Sequence, residues 1–143
     1  MYTQFNAYRP STWILMACGL WLVALGLYFI FIRPPLLQED LKFMGISIEQ
    51  IRTATPGLEA WTQRVFVVMG GFMAGMGVLT VFVTHTAMPS RLKGTSLALG
   101  LGGALTVALM SASNFALHSD FRWLLLVPAL AWITGLGCYI ARR

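Results

Sequence analysis

Long apolar runs alternate with short polar segments along this chain of 143 residues. Four runs lack Asp, Glu, Lys and Arg for about the 20 residues that a helix needs to cross the hydrocarbon core of a bilayer. They extend over residues 12–32, 65–88, 94–117 and 123–141. Their side chains do not alternate with a period of two, which favours helices over strands. Because a backbone in lipid must satisfy its own hydrogen bonds, we predict an all-α integral membrane protein with four transmembrane helices in one domain, residues 1–143.

The segment between the first two runs, residues 33–64, is the only long polar region of the sequence. Apolar side chains recur there at helical spacing, which predicts a short amphipathic helical cap on the outer side of the membrane. This stripe consists of Leu37, Leu41, Met44, Ile48 and Ile51. Gly45 is expected to divide the stripe into two short helices.

Two local signals predict how the helices of this cap begin. Ser47 followed three residues later by Gln50 has the form of a capping box for the second short helix. Thr55 and Pro56 have the residue types of an N-cap and first helical position, which predicts a helix that continues from there into the second span. Glu39 and Asp40 fall in the first turn of the first short helix, where carboxylates complement the helix dipole. They either form a solvated helix start or bind a cation or a polar partner.

Composition supports membrane insertion. The chain is 57% hydrophobic and 10% charged, whereas soluble domains carry about 25% charged residues. The basic residues on the side of both termini are concentrated in short segments, which predicts that both termini are cytoplasmic. These residues are Arg9, Arg91, Lys93, Arg142 and Arg143. Because no larger basic cluster exists in the sequence, we expect no nucleic-acid partner.

The chain resembles small bacterial four-span membrane proteins with a DoxX-like layout. The resemblance covers roughly residues 34–80 and is carried by Glu39-Asp40, Phe43, Gly45, Pro56 and the run GGFMAGMG at residues 70–77. It implies four helices and a multi-pass protein of the bacterial inner membrane. It implies no activity.

Small residues recur at helical spacing in two spans, a pattern that lets transmembrane helices approach closely. The second span contains Gly70, Gly71, Ala74, Gly75 and Gly77, and the third contains Gly100, Ala104, Ala108, Ala112 and Ala116. We expect these faces to pack within the bundle, with a homodimer or partner contact as the alternative.

A polar stripe at the outer end of the third span is the candidate binding site. It consists of Ser111, Asn114 and His118, with Asp120 just beyond. Glu39 and Asp40 are predicted on the same side, so a pocket under the cap could hold a lipid headgroup, a quinone or a metal ion. The alternative is that Ser111 and Asn114 form hydrogen bonds between helices while His118 and Asp120 lie in the interface.

The sequence disfavours several chemistries. No acidic or basic side chain lies deep inside a span, which argues against a proton pump. His85 and His118 fall near opposite ends of their spans and cannot ligate one metal or haem, and there is no Cys/His cluster typical of a metal site. No cofactor and no catalytic constellation is indicated.

The favoured function is therefore a non-catalytic accessory or assembly subunit of a larger membrane complex, or a homo-oligomer. Its partners would be the lipid bilayer and other membrane subunits or further copies of itself. The alternative is a lipid- or quinone-binding protein, with or without enzymatic activity, whose polar site lies at the outer end.

Overall fold

The computed structural model describes residues 10–141, which form helices and no strand. Arg9, Arg142 and Arg143, which entered the charge comparison, lie outside the described residues. Four helical units in this range are long and apolar enough to cross a membrane, as the hydropathy pattern predicts. They are α1 (Pro10–Phe31), α4 (Leu58–Thr86), a third unit made of α5 (Thr95–Gly103), a π-helical segment (Ala104–Ala108) and α6 (Leu109–Ala116), and α7 (Arg122–Ala141).

Large apolar side chains cover the outside of these helices. Phe72 on α4 is 76% exposed, Leu105 in the π-helical segment is 70% exposed, and Ile133 on α7 is 63% exposed. A helix that is apolar on its outward face as well as its inward face is typical of a membrane span. Such a surface suggests a multi-pass membrane protein.

The centre of the bundle is α1, which packs most extensively on α4 and less extensively on α7. Leu15 and Leu22 of α1 are fully buried there, together with Trp132 of α7. The indole nitrogen Nε1 of Trp132 donates a hydrogen bond of 2.9 Å to the carbonyl oxygen of Leu99. The Trp132 ring occupies the space that a Cβ atom on Gly103 would fill, so a residue without a side chain is needed at position 103 to leave room for the tryptophan.

The third unit buries a different face from the one predicted. Its buried residues recur every four positions and are Thr95, Leu99, Gly103, Val107 and Ser111. In a regular α-helix each four-residue step drifts by about 40°. The π-helical segment, where the amide of Leu109 bonds the carbonyl of Ala104, puts more residues into one turn and offsets that drift.

The predicted small-residue seam in this unit lies one residue away from the buried face, so its packing within the bundle is not confirmed and a homodimer or partner contact stays the alternative. Ala104, Ala112 and Ala116 are exposed, while Gly100 and Ala108 are half-buried. The alanine spacing alone could not reveal the shift, because the seam lies directly beside the face that is buried.

Two short helices, α2 (Gln38–Met44) and α3 (Ile48–Ala54), lie between α1 and α4 as predicted. Gly45 ends α2 with a positive φ of 68°, and its amide bonds the carbonyl of Leu41. The capping box is also present, because the Ser47 hydroxyl accepts from the Gln50 amide and the Gln50 side chain accepts from the Ser47 amide. These contacts fix the bend between the two short helices.

The predicted start of the helix that enters the second span is wrong by two residues. Thr55 closes α3, because its amide donates a 2.7 Å hydrogen bond to the carbonyl of Ile51. Pro56 lies in a turn, and α4 begins at Leu58 after Gly57. From Leu58 the helix continues without interruption through Arg64 into the span, as the sequence predicts.

Candidate functional site

A buried arginine anchors the cap to the bundle. Arg33 follows α1 and is only 9% exposed, and its guanidinium lies 3.5 Å from the centroid of the Phe66 ring and 5.2 Å from that of Phe29. One Nη atom donates to the carbonyl of Pro34 at 3.1 Å, and the other lies 3.5 Å from Oδ2 of Asp40. Burial lowers the pKa of Arg33 and the Asp40 carboxylate opposes that shift, so the group stays charged.

Asp40 has a second bond that fixes the start of α2. Its Oδ2 atom accepts a 2.8 Å hydrogen bond from the amide of Leu37, which directly precedes the helix. A carboxylate that reaches back from the first turn in this way satisfies an amide that has no partner within the helix. Asp40 therefore links the beginning of the cap to Arg33.

Glu39 connects the same helix to the other side of the bundle. Its Oε2 atom accepts hydrogen bonds from the hydroxyl of Ser119 at 2.9 Å and from the amide of Asp120 at 3.2 Å. Ser119 is buried in the turn between α6 and α7 and also accepts from the amide of Phe121 at 3.1 Å. The two adjacent acids thus hold α2 against two different parts of the bundle.

An exposed ion pair connects α3 with the first turn of α4. Arg52 donates to both carboxylate oxygens of Glu59, at 3.0 and 3.1 Å. The hydrogen bond from Arg52 lowers the pKa of Glu59, and the same bond raises the pKa of Arg52. The pair bridges the turn at Pro56.

Most residues of the predicted polar site are buried or form hydrogen bonds within the protein. Ser111 is buried in the third unit, and the amide group of Asn114 donates to the carbonyl of Met110 in its own helix at 2.9 Å. His118 is exposed, just past the end of α6, with a positive φ of 52°. Of the six residues proposed for this site, Glu39 and Asp120 are in contact, because the Glu39 carboxylate accepts a hydrogen bond from the Asp120 backbone amide. The Asp40 carboxylate instead accepts from Arg33 and from the Leu37 amide.

Sequence reasoning missed Arg33 and Ser119. Arg33 had one usable signal, because it lies four residues after Phe29 and this spacing brings two side chains together on a helical turn. Ser119 had none, since its carboxylate partner lies 80 residues away in the sequence.

The small residues of α4 fall on two faces. On one face, a Cβ atom on Gly70 would lie 2.6 Å from the carbonyl oxygen of Gly26, and one on Gly77 would lie 2.5 Å from that of Gly19. Ala74 lies between them, with its backbone nitrogen only 2.5 Å from where a Cβ of Gly26 would be. This face is the crossing with α1.

The second face of α4 contains Gly71 and Gly75, which are exposed and have open space where a Cβ would lie. Phe72 between them projects outward, and Val68 and Leu79 on the same face are each 59% exposed. A Gly-xxx-Gly pair flanked by large side chains forms a shallow groove of the kind that receives another transmembrane helix. This groove, defined by Gly71, Phe72 and Gly75, is called the α4 groove below.

Residues 10–141 contain no group of three or more His, Cys, Asp and Glu side chains placed to hold a metal ion. Comparison with protein-family models, curated proteins and solved structures gives no match for this chain. The resemblance to DoxX-like proteins therefore rests on the sequence pattern alone.

Proposed function

We propose that this protein is a non-catalytic subunit that assembles in the membrane through the α4 groove, with another membrane protein or with a second copy of itself. The observation that carries the proposal is the open space at Gly71 and Gly75. Glycine favours helix formation less than alanine by about 1 kcal/mol, so a glycine with no neighbour inside the chain gives the isolated helix no advantage. A neighbouring helix packed in the groove would explain why glycine occurs at both positions.

The cap gives this role a second support. Arg33, Asp40 and Glu39 hold α2 by contacts within the chain, so the outer end is built as a fixed cover. A bundle with an open small-residue face on α4 suits a subunit whose task is to pack against neighbours.

We place the protein in the bacterial inner membrane with both termini in the cytoplasm and the cap outside. Arg91 and Lys93 in the short turn between α4 and α5 support this orientation, because basic residues in short loops favour the cytoplasmic side. The DoxX-like layout of the sequence supports the bacterial assignment.

The second candidate, a lipid or quinone site at the outer end, has weaker support. Asn114 bonds Met110 and Glu39 bonds Ser119 and Asp120. A ligand that used these groups would have to replace bonds that already hold the fold together.

The proposal is tested by native mass spectrometry of the tagged protein extracted directly into lipid nanodiscs. The wild type is expected as a complex of defined stoichiometry, whose mass distinguishes a second copy from a different subunit. Gly71→Leu and Gly75→Leu would fill the groove and leave the single chain. Gly137→Leu is the matched control, because Gly137 in α7 also has open space at its Cβ position. A wild-type protein recovered only as a single chain would refute the proposal.

A further inference from the structure

The end of the bundle opposite the cap contains a half-open cleft of about 370 Å³ that no part of the proposed assembly uses. It lies where the turn between α4 and α5 meets the last turns of α7. The residues that line it are Arg91, Leu92, Lys93, Ser96 and Tyr139. Its volume falls within the range of about 300–1,000 Å³ that is usual for small-molecule sites.

Two basic residues, a serine and a tyrosine line this cleft. The guanidinium carbon of Arg91 lies 5.6 Å from the centroid of the Tyr139 ring, and Tyr139 itself is buried at 8% exposure. The contact with a buried ring holds one cation at the cleft wall. Lys93, two residues later, adds a second positive charge, and within the described residues no acidic side chain lines the cleft.

The backbone brings these groups together by a tight turn. Arg91 has a positive φ of 47° and Gly94 a positive φ of 89°. Such left-handed positions reverse the chain within a few residues, so both basic residues and the start of α5 border one space. Backbone amides in the first turn of a helix also favour an anion.

We propose that this cleft binds a phosphate group, supplied by the headgroup of an anionic membrane lipid or by a soluble phosphate. Arginine and lysine provide charge, Ser96 and Tyr139 provide hydroxyl donors, and the exposed side chain of Leu92 provides an apolar surface beside them. Basic pockets between transmembrane helices are known to bind phospholipid headgroups. The inference is independent of the proposed assembly, because the cleft and the α4 groove share no residue.

The experiment uses the full-length protein in phosphatidylcholine nanodiscs with a minority of phosphatidylglycerol. Native mass spectrometry measures how much phosphatidylglycerol each protein retains, and a titration of that lipid gives its affinity. The double variant Arg91→Gln/Lys93→Gln is expected to bind it about 25-fold more weakly, at about fivefold per basic residue. The control Lys42→Gln/Arg64→Gln removes the same charge from the other end and is expected to stay within about twofold of wild type.

Tyr139→Phe distinguishes binding at a specific site from nonspecific electrostatic attraction of the lipid. It keeps the ring beside Arg91 and the net charge and removes only one hydroxyl donor, so an affinity loss of about tenfold is expected. Circular dichroism verifies that each variant is folded.

A second titration with inorganic phosphate, in nanodiscs of phosphatidylcholine alone, distinguishes the sources. Saturable binding that Tyr139→Phe weakens would identify a site for free phosphate. Binding of phosphatidylglycerol alone would identify the lipid headgroup as the ligand. Equal losses in both double variants, with Tyr139→Phe indistinguishable from wild type, would overturn the proposal.

Discussion

The crossing of α1 and α4 is close enough that one added methyl group should weaken the fold. A Cβ atom at Gly77 would lie 2.5 Å from the carbonyl oxygen of Gly19 and 2.7 Å from the amide nitrogen of Val23. Both are backbone atoms, which cannot turn aside as a flexible side chain can. Gly77→Ala therefore requires the two helices to separate.

The expected magnitude follows from two opposing effects. Overpacking of a well-packed interior costs about 1–3 kcal/mol, and the upper end applies here because the contacts are with backbone. Alanine recovers up to about 1 kcal/mol over glycine in helix propensity. We therefore expect Gly77→Ala to lower the free energy of unfolding by about 2 kcal/mol.

The assay is reversible unfolding of the purified protein by sodium dodecyl sulfate in mixed micelles, followed by circular dichroism. Gly137→Ala is the control, because Gly137 has open space at its Cβ position, and it is expected to be neutral or slightly stabilising. If Gly77→Ala unfolds at the same detergent fraction as Gly137→Ala, the account of the crossing is refuted.

Three further predictions concern single contacts. Arg33→Met removes the guanidinium from the Phe66 ring and should lower stability by about 2 kcal/mol; unchanged hydrogen exchange in α2 would contradict this. The pKa of Glu59 is lowered by Arg52, so the pair stabilises the cap above the ordinary carboxyl pKa and ceases to do so as the pH falls through the lowered value. Arg52→Gln should raise the Glu59 pKa in a carboxyl NMR titration, and no change would exclude the pair in solution. Trp132→Phe removes the donor to Leu99 and should lower the free energy of unfolding by about 1 kcal/mol, so wild-type stability would argue against that hydrogen bond.

Much of the helical architecture could be predicted from local patterns. The spans can be predicted because a run of about 20 apolar residues without charge is typical of a membrane-spanning helix. Gly45 and the Ser47–Gln50 pair predict the bend of the cap because a left-handed position and a capping box are satisfied by residues close in sequence. These signals need no knowledge of the tertiary structure.

The features that sequence reasoning placed wrongly or missed have different physical origins. Thr55 and Pro56 fit a helix start, but in the structure Thr55 is the C-cap of α3 and Pro56 lies in the turn before α4. In the third unit, Trp132 of another helix packs against Leu99 and Gly103, and the π-helical segment keeps the same face buried at Val107 and Ser111. Glu39 finds its partner Ser119 only once the turn between α6 and α7 is placed beside α2.

In the candidate sites, too, the residue types can be predicted from the sequence, but their surroundings depend on the tertiary structure. The spacing of Gly71 and Gly75 indicates a small-residue face, but the sequence cannot tell which of the two faces of α4 is taken by α1. Likewise, Arg91 and Lys93 are visible as basic residues in a short loop, whereas their cleft with Tyr139 depends on how α7 packs.

Site-specific photo-crosslinking in native membranes tests the central claim most directly. A photoreactive amino acid would replace Phe72 in the α4 groove, and in a second variant Ile133 on the exposed face of α7. The account predicts a protein adduct of defined mass from position 72 that disappears when Gly75→Leu is added, and lipid adducts alone from position 133. Lipid adducts alone from position 72 would contradict it, because the α4 groove would then face only the bilayer.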